Sequence, residues 1–412
     1  MCLAKSHISR ISSIYSYYES LLSTPIEEYS HKRIRLRLPQ IPLPLLTELL
    51  DEVLAIIKEE EVVLKLSSDI VIVGDLCGHI LELLQILRQF GTPQTHKYLF
   101  LGNIIGDGEF SLETSTLVYC LKVLYPDKVF FLRGSNEVPY QTSSLYKNII
   151  YLYSSNEIIN KYRQIFFQTS LAAIIPNEYK PFQPILCIHG GIGTMFYNIK
   201  DLYKIQKPIY KFTPIISDLI YSGPIETLPH FLPCPDDGCV FGKDALAQFL
   251  YDNHLSLLIR GHGTLEEGVK ILFDQTLISV SSCSVDHNVF NFIEDDLFLL
   301  TPDKDIHNFG AYYLSPNESK AAVFPGLDIL SRSNAVFLVS EREDYFTLPV
   351  HSISSIPKHP IITFENDVPN HNNNTINHRI IAGKNVLGGN FLTSQSKKIT
   401  RKVSLTNLQL NL

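Results

Sequence analysis

The chain has 412 residues, 45% of them hydrophobic and 19% charged, with a net charge of −7. That is the composition of a folded protein able to bury a substantial core, and it excludes an intrinsically disordered chain or a global pull toward nucleic acid. No apolar run reaches the length that spans a bilayer.

The N-terminus (MCLAKSHISRISSIYSYYES) has no continuous apolar stretch of the kind a secretory signal carries. The seven cysteines, Cys2, Cys77, Cys120, Cys187, Cys234, Cys239 and Cys283, form no CxxC pair, and several sit in apolar strand-like runs. This is the usage of a reducing compartment, cytoplasm or nucleus, and not a disulfide framework. Charge is unevenly spread. Residues 351–412 hold five Lys and two Arg against one Asp and one Glu, or +5, which leaves −12 on the body. The basic tail reads as a solvated segment; docking on the acidic body or an acidic partner is the alternative.

In chain order, residues 1–40 form an N-terminal extension, peripheral, rich in Ser and Tyr and without a clear period. From Pro44, Leu46, Leu49, Leu50, Val53, Leu54 and Ile57 recur at three- and four-residue steps, which predicts an amphipathic helix covering a core. Strands and helices then alternate. IVIVG (70–74) predicts a strand and ILELLQILRQF a helix; KYLFLG (97–102) a strand and SLETSTLVYCLKVLY a helix; KVFFLRG (128–134) a third strand. Their continuous apolar runs mean burial on both faces. ILCIHGG (185–191), LSLLIRGHG (255–263) and TLISVSS (276–282) suit a second sheet packed on the first. From about Asn317 the pattern decays, leaving 317–350 as an edge of the domain in which AVFLVSE (335–341) suits an edge strand. Residues 351–412, Asn-rich and basic, cannot bury enough apolar surface to offset ordering entropy and are expected to be disordered.

Three glycine-centred loops follow the first three strands: VGDLCGH, LGNIIGDGEFSLE and LRGSNE. A two-metal phosphoesterase clamps two hard cations with Asp, His and Asn from several strand ends. The metals ionise a water, cationic side chains hold the phosphate, and a protonated His helps the alkoxide leave. The loops resemble those of the phosphoprotein phosphatase (PPP) family of serine/threonine phosphatases. VGDLCGH stands for that family's GDxHG, LGNIIGDGEFSLET for GDxVDRGxxSLE, and YPDKVFFLRGSNE for YPxxxxxLRGNHE. ILCIHGGIG resembles HGGLSP, and LLIRGHGTLEEG resembles RAHxxxxxG. The resemblance covers about residues 40–300. It implies a phosphatase-like domain over 41–316 with the calcineurin-like metallophosphoesterase fold: an α/β protein with a central β-sandwich flanked by helices and metals at its loop-bearing edge.

Carried over position by position, the resemblance places the first metal on Asp75, Cys77 (His in the family) and Asn103 (the bridging Asp). It places the second on Asn103, Ser135 (Asn in the family), His189 and His262. Only Asp75, His189 and His262 are of the usual type. A neutral amide at Asn103 bridges and neutralises two cations poorly, so a two-metal centre is not expected. Asn136 stands for the catalytic His and Gly106 for the Asp that orients it. Asp107 replaces a phosphate-gripping Arg and reverses its charge. No Arg occurs near CPDDG (234–238), where the second would fall, and SSCSV (281–285) lacks the family's site-lining Tyr. Losing a general acid costs roughly 10²–10⁴ in rate, and losing one anion-stabilising donor roughly 10²–10³.

Bland readings stand beside these. Asp75 could cap the next helix, Cys77 could be a small buried hydrophobe, and His189 and His262 could be hydrogen-bonded scaffold. His79 begins a helix and is not counted as a ligand. One divalent metal (Zn, Mn or Fe) on Asp75, Cys77, His189 and His262 stays open, because thiolate and imidazole suit zinc. The preferred reading is a pseudophosphatase, catalytically inactive or very weak, that acts by binding protein partners or phosphoproteins, with no nucleic acid and no membrane. The alternatives are an active, divergent phosphatase using one metal, with Arg260 as the remaining cation near phosphate, and a structural zinc protein.

Overall fold

The computed structural model of the chain describes residues 2–24, 36–138 and 144–283, apart from 69, 178–179, 235–236, 264 and 266–268. It also describes the backbone of five strands between 292 and 339; of residues 2–9 only the backbone is described. The expected disorder of 351–412 falls outside these residues.

The N-terminal segment departs from expectation. It is not aperiodic: α1 (Cys2–Leu22) buries Ile11, Ile14, Tyr15, Tyr18 and Leu21 on one face. Those positions follow the three- and four-residue steps of a helix stripe. Ser and Tyr dilute the stripe in the sequence, but tyrosine rings bury well when packed. After β1 (Arg37–Gln40), α2 (Leu43–Glu59) starts at a Pro-rich entry and buries Leu45, Leu46, Leu49, Leu50, Val53, Leu54 and Ile57, as its period predicts.

Strand β2 (Val63–Lys65) is followed by β3 (Val71–Val73), α3 (Ile80–Phe90), β4 (Tyr98–Phe100), α4 (Ser111–Leu124) and β5 (Val129–Phe131). Two helices, α5 (Ser144–Tyr153) and α6 (Asn156–Gln168), precede β6 (Ala172–Ile175) and β7 (Ile185–Ile188). The Ser155 hydroxyl caps α6 by accepting from Ile158 N. A 3₁₀ turn (Ile199–Lys204) and α7 (Pro214–Tyr221) lead into a small sheet of β8 (Gly223–Pro224), β9 (Phe231–Pro233) and β10 (Cys239–Phe241). Helix α8 (Lys243–Asp252) then precedes β11 (Leu257–Arg260), β12 (Val269–Leu272) and β13 (Leu277–Val280). The short strand β14 (Phe292–Ile293) pairs antiparallel with β3. Strands β15 (Phe298–Pro302), β16 (Asn308–Tyr313) and β17 (Lys320–Val323) form an antiparallel meander, and β18 (Val336–Val339) pairs parallel with β1.

Two sheets result, ordered β14-β3-β4-β5 and β12-β13-β11-β7-β6-β2. Ile72, Leu99 and Leu132 from the first meet Ala173, Ile185, Cys187, Ile259 and Ile278 from the second in one apolar layer. The outer face of the first sheet (Val71, Val73, Tyr98, Phe100, Phe131) packs under α1 to α6. That of the second (Leu186, Ile188, Leu258, Leu277) packs under the 3₁₀ turn, α7 and α8. Burial on both faces explains why the strands read as unbroken apolar runs. Because β3, β4 and β5 are mutually parallel, as are β7, β11 and β13, their C-terminal ends bring six loops to one edge.

Candidate active-site edge

The backbone at this edge is unusual before any side chain is considered. Cys77, Asn103 and His262 hold left-handed φ values of 51°, 50° and 55°. Asn and His populate that region more readily than most residues; Cys adopts it where the surroundings over-determine it. Carboxylates hold two of these turns, at Asn103 and His262, and the Asn103 carbonyl accepts from the Cys77 N–H at the third. Glu137, 4% exposed, accepts from the backbone N–H groups of Asn103 (2.8 Å), Gly134 (2.9 Å) and Ile105 (3.3 Å), joining the loops after β4 and β5. Burial pushes its pKa up to about 7, against the pull of those three donors. Asp75 does the same across the sandwich. Its Oδ1 accepts from His262 N (3.0 Å) and its Oδ2 from Asn103 Nδ2 (2.8 Å). Burial raises it to about 6, opposed by these bonds and by the Arg260 charge.

The loops bring Asp75, Asn103, Ser135, His189 and His262 together around a hydroxyl. Ser135 Oγ lies 3.2 Å from both Asn103 amide atoms, 3.2 Å from His262 Nδ1 and 3.4 Å from His189 Nε2. His189 Nδ1 is 2.9 Å from Leu101 O. A carbonyl only accepts, so Nδ1 carries the proton and the Nε2 lone pair faces Ser135. Burial holds His189 well below the usual imidazole range and His262 at about 4, so both rings are neutral. One consistent arrangement has Ser135 Oγ accepting from Asn103 Nδ2 and His262 Nδ1 while donating to Asn103 Oδ1 or His189 Nε2.

The family resemblance implies metal at this edge, and the residues present do not fit two cations. The Asn103 amide nitrogen, which binds no metal, is aimed at both Asp75 and Ser135. None of the buried polar atoms of these five residues lacks a hydrogen-bond partner that a cation would have to supply. Among the described residues no group of three His, Cys, Asp or Glu side chains is placed to hold an ion. Cys77 makes a poor thiolate ligand, since a hydrogen bond with the Cys283 thiol and burial both push its pKa well up.

The remaining positions are equally committed. Asn136 donates its N–H to Asn103 Oδ1 (2.8 Å) and its amide to Ile105 O (3.0 Å), which makes it a loop brace. A Cβ on Gly106 would stand 2.7 Å from Cys77 Cα and 2.9 Å from Asn136 Nδ2. The loop is closed over the place a carboxylate would need. Asp107 is exposed to solvent. Arg260 corrects an expectation: it is not a cation facing phosphate. It is 3% exposed, and its guanidinium donates to the carbonyls of Gly190, Ser222 (3.4 Å) and His262 (2.6 Å) and to Ser279 Oγ (3.3 Å). It joins the loops after β7 and β11 from beneath. His79 is the N-cap residue of α3, as expected. Glu137 and Cys283 were missed. Glu137 could have been noticed as an acid ending a strand–glycine loop, whereas nothing in the sequence pairs Cys283 with Cys77.

The calcineurin-like phosphoesterase family pattern matches residues 68–263. A serine/threonine-protein phosphatase relative from Schizosaccharomyces pombe is 31% identical over 231 residues, 55% of this chain and 73% of that protein. The serine/threonine-protein phosphatase 4 catalytic subunit of Saccharomyces cerevisiae is 30% identical over 223 residues, 53% of this chain and 70% of the relative. Among solved structures, a serine/threonine phosphatase from Saccharomyces cerevisiae superposes with a TM-score of 0.55 at 22% identity, covering 70% of this chain and 91% of that one. The last likeness shows the fold: a calcineurin-like sandwich with helices on both faces.

Proposed function

The chain belongs to the phosphoprotein phosphatase (PPP) family of serine/threonine phosphatases, and from that membership we propose that it is a pseudophosphatase: a phosphatase fold that acts by binding protein and turns over phosphoesters at most very weakly. One observation carries this reading. The space between Asp75, Asn103, His189 and His262 is organised around the Ser135 hydroxyl, and each of these residues is hydrogen-bonded to another side chain or to backbone. The chemistry of turnover needs a polarising charge, an acid and a cationic grip on phosphate. At the corresponding positions stand Ser135, Asn136 and Asp107, a hydroxyl, an amide and an anion. Its cysteine usage suits a reducing compartment, cytoplasm or nucleus. No described helix is long and apolar enough to cross a membrane.

The test is to purify the full chain, measure bound Zn, Mn and Fe, and assay a serine/threonine phosphopeptide with and without added Mn. Metal-dependent turnover that vanishes in His189→Ala would overturn the proposal. Absence of turnover at saturating Mn supports it. A complementary variant combines Asn103→Asp, Ser135→Asn, Asn136→His and Asp107→Arg. It is expected to take up metal more than the wild type, yet to stay far below a competent phosphatase, because Gly106 leaves no room for the acid's orienting carboxylate.

A further inference from the structure

Two cysteines that the proposed function does not use are held against each other. Strands β3 and β13 belong to different sheets, yet the segments leaving their C-terminal ends are pinned together. Asp75 and Ser281 form an isolated parallel bridge, Ser282 N donates to Asp75 O (3.0 Å), and Gly74 N donates to Ser282 Oγ (2.9 Å). A Cβ on Gly74 would overlap Val280 O, so the two backbones are in direct contact. Cys77 and Cys283 each stand two residues beyond a partner of that bridge, which sets them side by side. Their thiols meet in a hydrogen bond. The turn at Cys77 is fixed on both sides, its N–H donating to Asn103 O (2.7 Å) and its carbonyl accepting from Gly108 N (2.8 Å). The Cys283 sulfur is 3.7 Å from Ser281 Oγ.

The other described thiols are placed differently. Cys234 and Cys239 are closer in sequence but occupy successive positions of the β9–β10 hairpin, with Cys239 opposite Pro233 and Cys234 N donating to Gly238 O. Successive positions point to opposite faces. Cys120 and Cys187 are buried in separate apolar layers. Access is graded within the facing pair: Cys77 is partly exposed and Cys283 is buried. A reagent from solvent therefore meets Cys77 first.

We propose that Cys77 and Cys283 form a reversible disulfide, a redox modification site that locks the loop after β3 to the segment after β13. The oxidant is a low-molecular-weight disulfide of the glutathione class. The Cys77 sulfur gives up its proton, attacks one sulfur of that disulfide and expels the other as a thiol. Cys283 then gives up its proton, attacks the Cys77 sulfur of the mixed disulfide and expels the second thiol. The protein thiols lose two electrons, the small disulfide gains them, and the two protons end on the released thiols. Closing the contact to a bond of about 2 Å asks only a short approach of segments already pinned to each other. Burial and the shared hydrogen bond push the Cys77 thiol well up, which slows exchange. In a reducing compartment such a pair stays reduced until the surroundings are oxidised for long. Bond formation is independent of phosphoester turnover, so this test and the phosphatase assay are read separately.

The experiment equilibrates the full chain for hours in glutathione buffers of stepped reduced-to-oxidised ratio, alkylates the remaining thiols, and identifies linked peptides by mass after digestion. Peptides carrying Cys77 and Cys283 should be recovered joined, in a fraction that rises with the oxidised share and vanishes on adding dithiothreitol. That link should exceed any among Cys120, Cys187, Cys234 and Cys239 by about tenfold or more. Cys283→Ser should stop the sequence halfway, with glutathione on Cys77 and no link. Thermal unfolding of the oxidised wild type should remain one cooperative transition, which shows that the bond forms in the folded chain. Both thiols alkylated at every ratio, preferential linkage of either to another cysteine, or a linked species that has lost cooperative unfolding would each overturn the proposal.

Discussion

The apolar layers and the loop edge lie on the same strands, yet different physics holds them. Between and outside the sheets, contacts are non-directional: Ile72, Leu99, Ile185 and Ile259 need only be apolar and of suitable volume. At the loop edge a few directional groups do the holding. Asp75 and Glu137 each accept backbone N–H groups from neighbouring loops, and Arg260 donates to several backbone carbonyls. Groups that accept or donate to backbone are retained there. Those that would face a metal or phosphate are replaced. A fold and a chemistry that share one edge therefore depend on separable sets of residues, and the set that builds the edge can persist without the set that reacts.

The largest effect expected from breaking this distinction is at Glu137. Glu137→Leu keeps the bulk but leaves the N–H groups of Asn103, Ile105 and Gly134 buried without an acceptor. Unfolding in urea should show a loss of about 3–5 kcal/mol. A loss under about 1 kcal/mol would mean that the loops find other partners and that the edge is not carboxylate-held. Ile14→Ala on α1 tests the other region. Ile14 is fully buried against the helical layer, so truncation should cost about 2–4 kcal/mol. A near-neutral result would return residues 1–40 to the peripheral role that their composition suggests.

That contrast also decides what was legible in the sequence. Strands β3, β4 and β5 and helix α2 are plain because Val, Ile, Leu and Phe repeat without interruption or at helical steps. α1 is obscured because Tyr15 and Tyr18 count as half-polar in a pattern and as core in a packed layer. The family of the loops is legible from their glycines and spacing. The direction of a side chain is not: Arg260 ends strand β11 beside the loop edge, yet its guanidinium turns inward to backbone carbonyls. Ser135 reads as a missing ligand, yet in three dimensions it is the central hydrogen-bonding group. The Cys77–Cys283 contact joins segments from opposite ends of the domain, which no local pattern encodes.

A pH titration sharpens the comparison at intermediate size, because the loop edge carries buried groups that titrate in opposite senses between pH 4 and 8. Glu137 titrates near 7 when folded against an ordinary 4.5, so the stability it contributes is complete below about 4.5 and is lost as pH rises through 7. Asp75, raised to about 6, acts in the same direction over a lower window. His262, lowered from 6.5 to about 4, acts in the opposite sense: its contribution is present above 6.5 and lost as pH falls toward 4. Between pH 5 and 6.5 the two kinds oppose each other. From 6.5 to 8 the Glu137 term stands nearly alone, and stability should fall by about 1 kcal/mol. Glu137→Gln should flatten that limb, measured as the urea midpoint across the pH series. A midpoint that rises over this window in the wild type would show that Glu137 is not buried as described.

The smallest effect is the most discriminating. Ser135→Ala removes the hydroxyl that His262 Nδ1 and the Asn103 amide share, without disturbing the Glu137 or Asp75 braces. Ser135 is half-buried, so water can replace part of what is lost, and the expected cost is about 0.5–1 kcal/mol. If the hydroxyl is the organising centre, its loss frees the His189 Nε2 lone pair and lets the His262 ring take the tautomer whose Nδ1 lone pair faces the same space, while Asn103 Oδ1 still accepts from Asn136 N. Zinc uptake by the variant should then exceed that of the wild type, measured by metal analysis after dialysis against zinc. Imidazole nitrogens suit zinc once nothing else occupies them. If the wild type already binds zinc stoichiometrically and Ser135→Ala lowers it, the hydroxyl supports a cation instead of replacing one. The distinction between the retained frame and the altered centre would then fail at its middle.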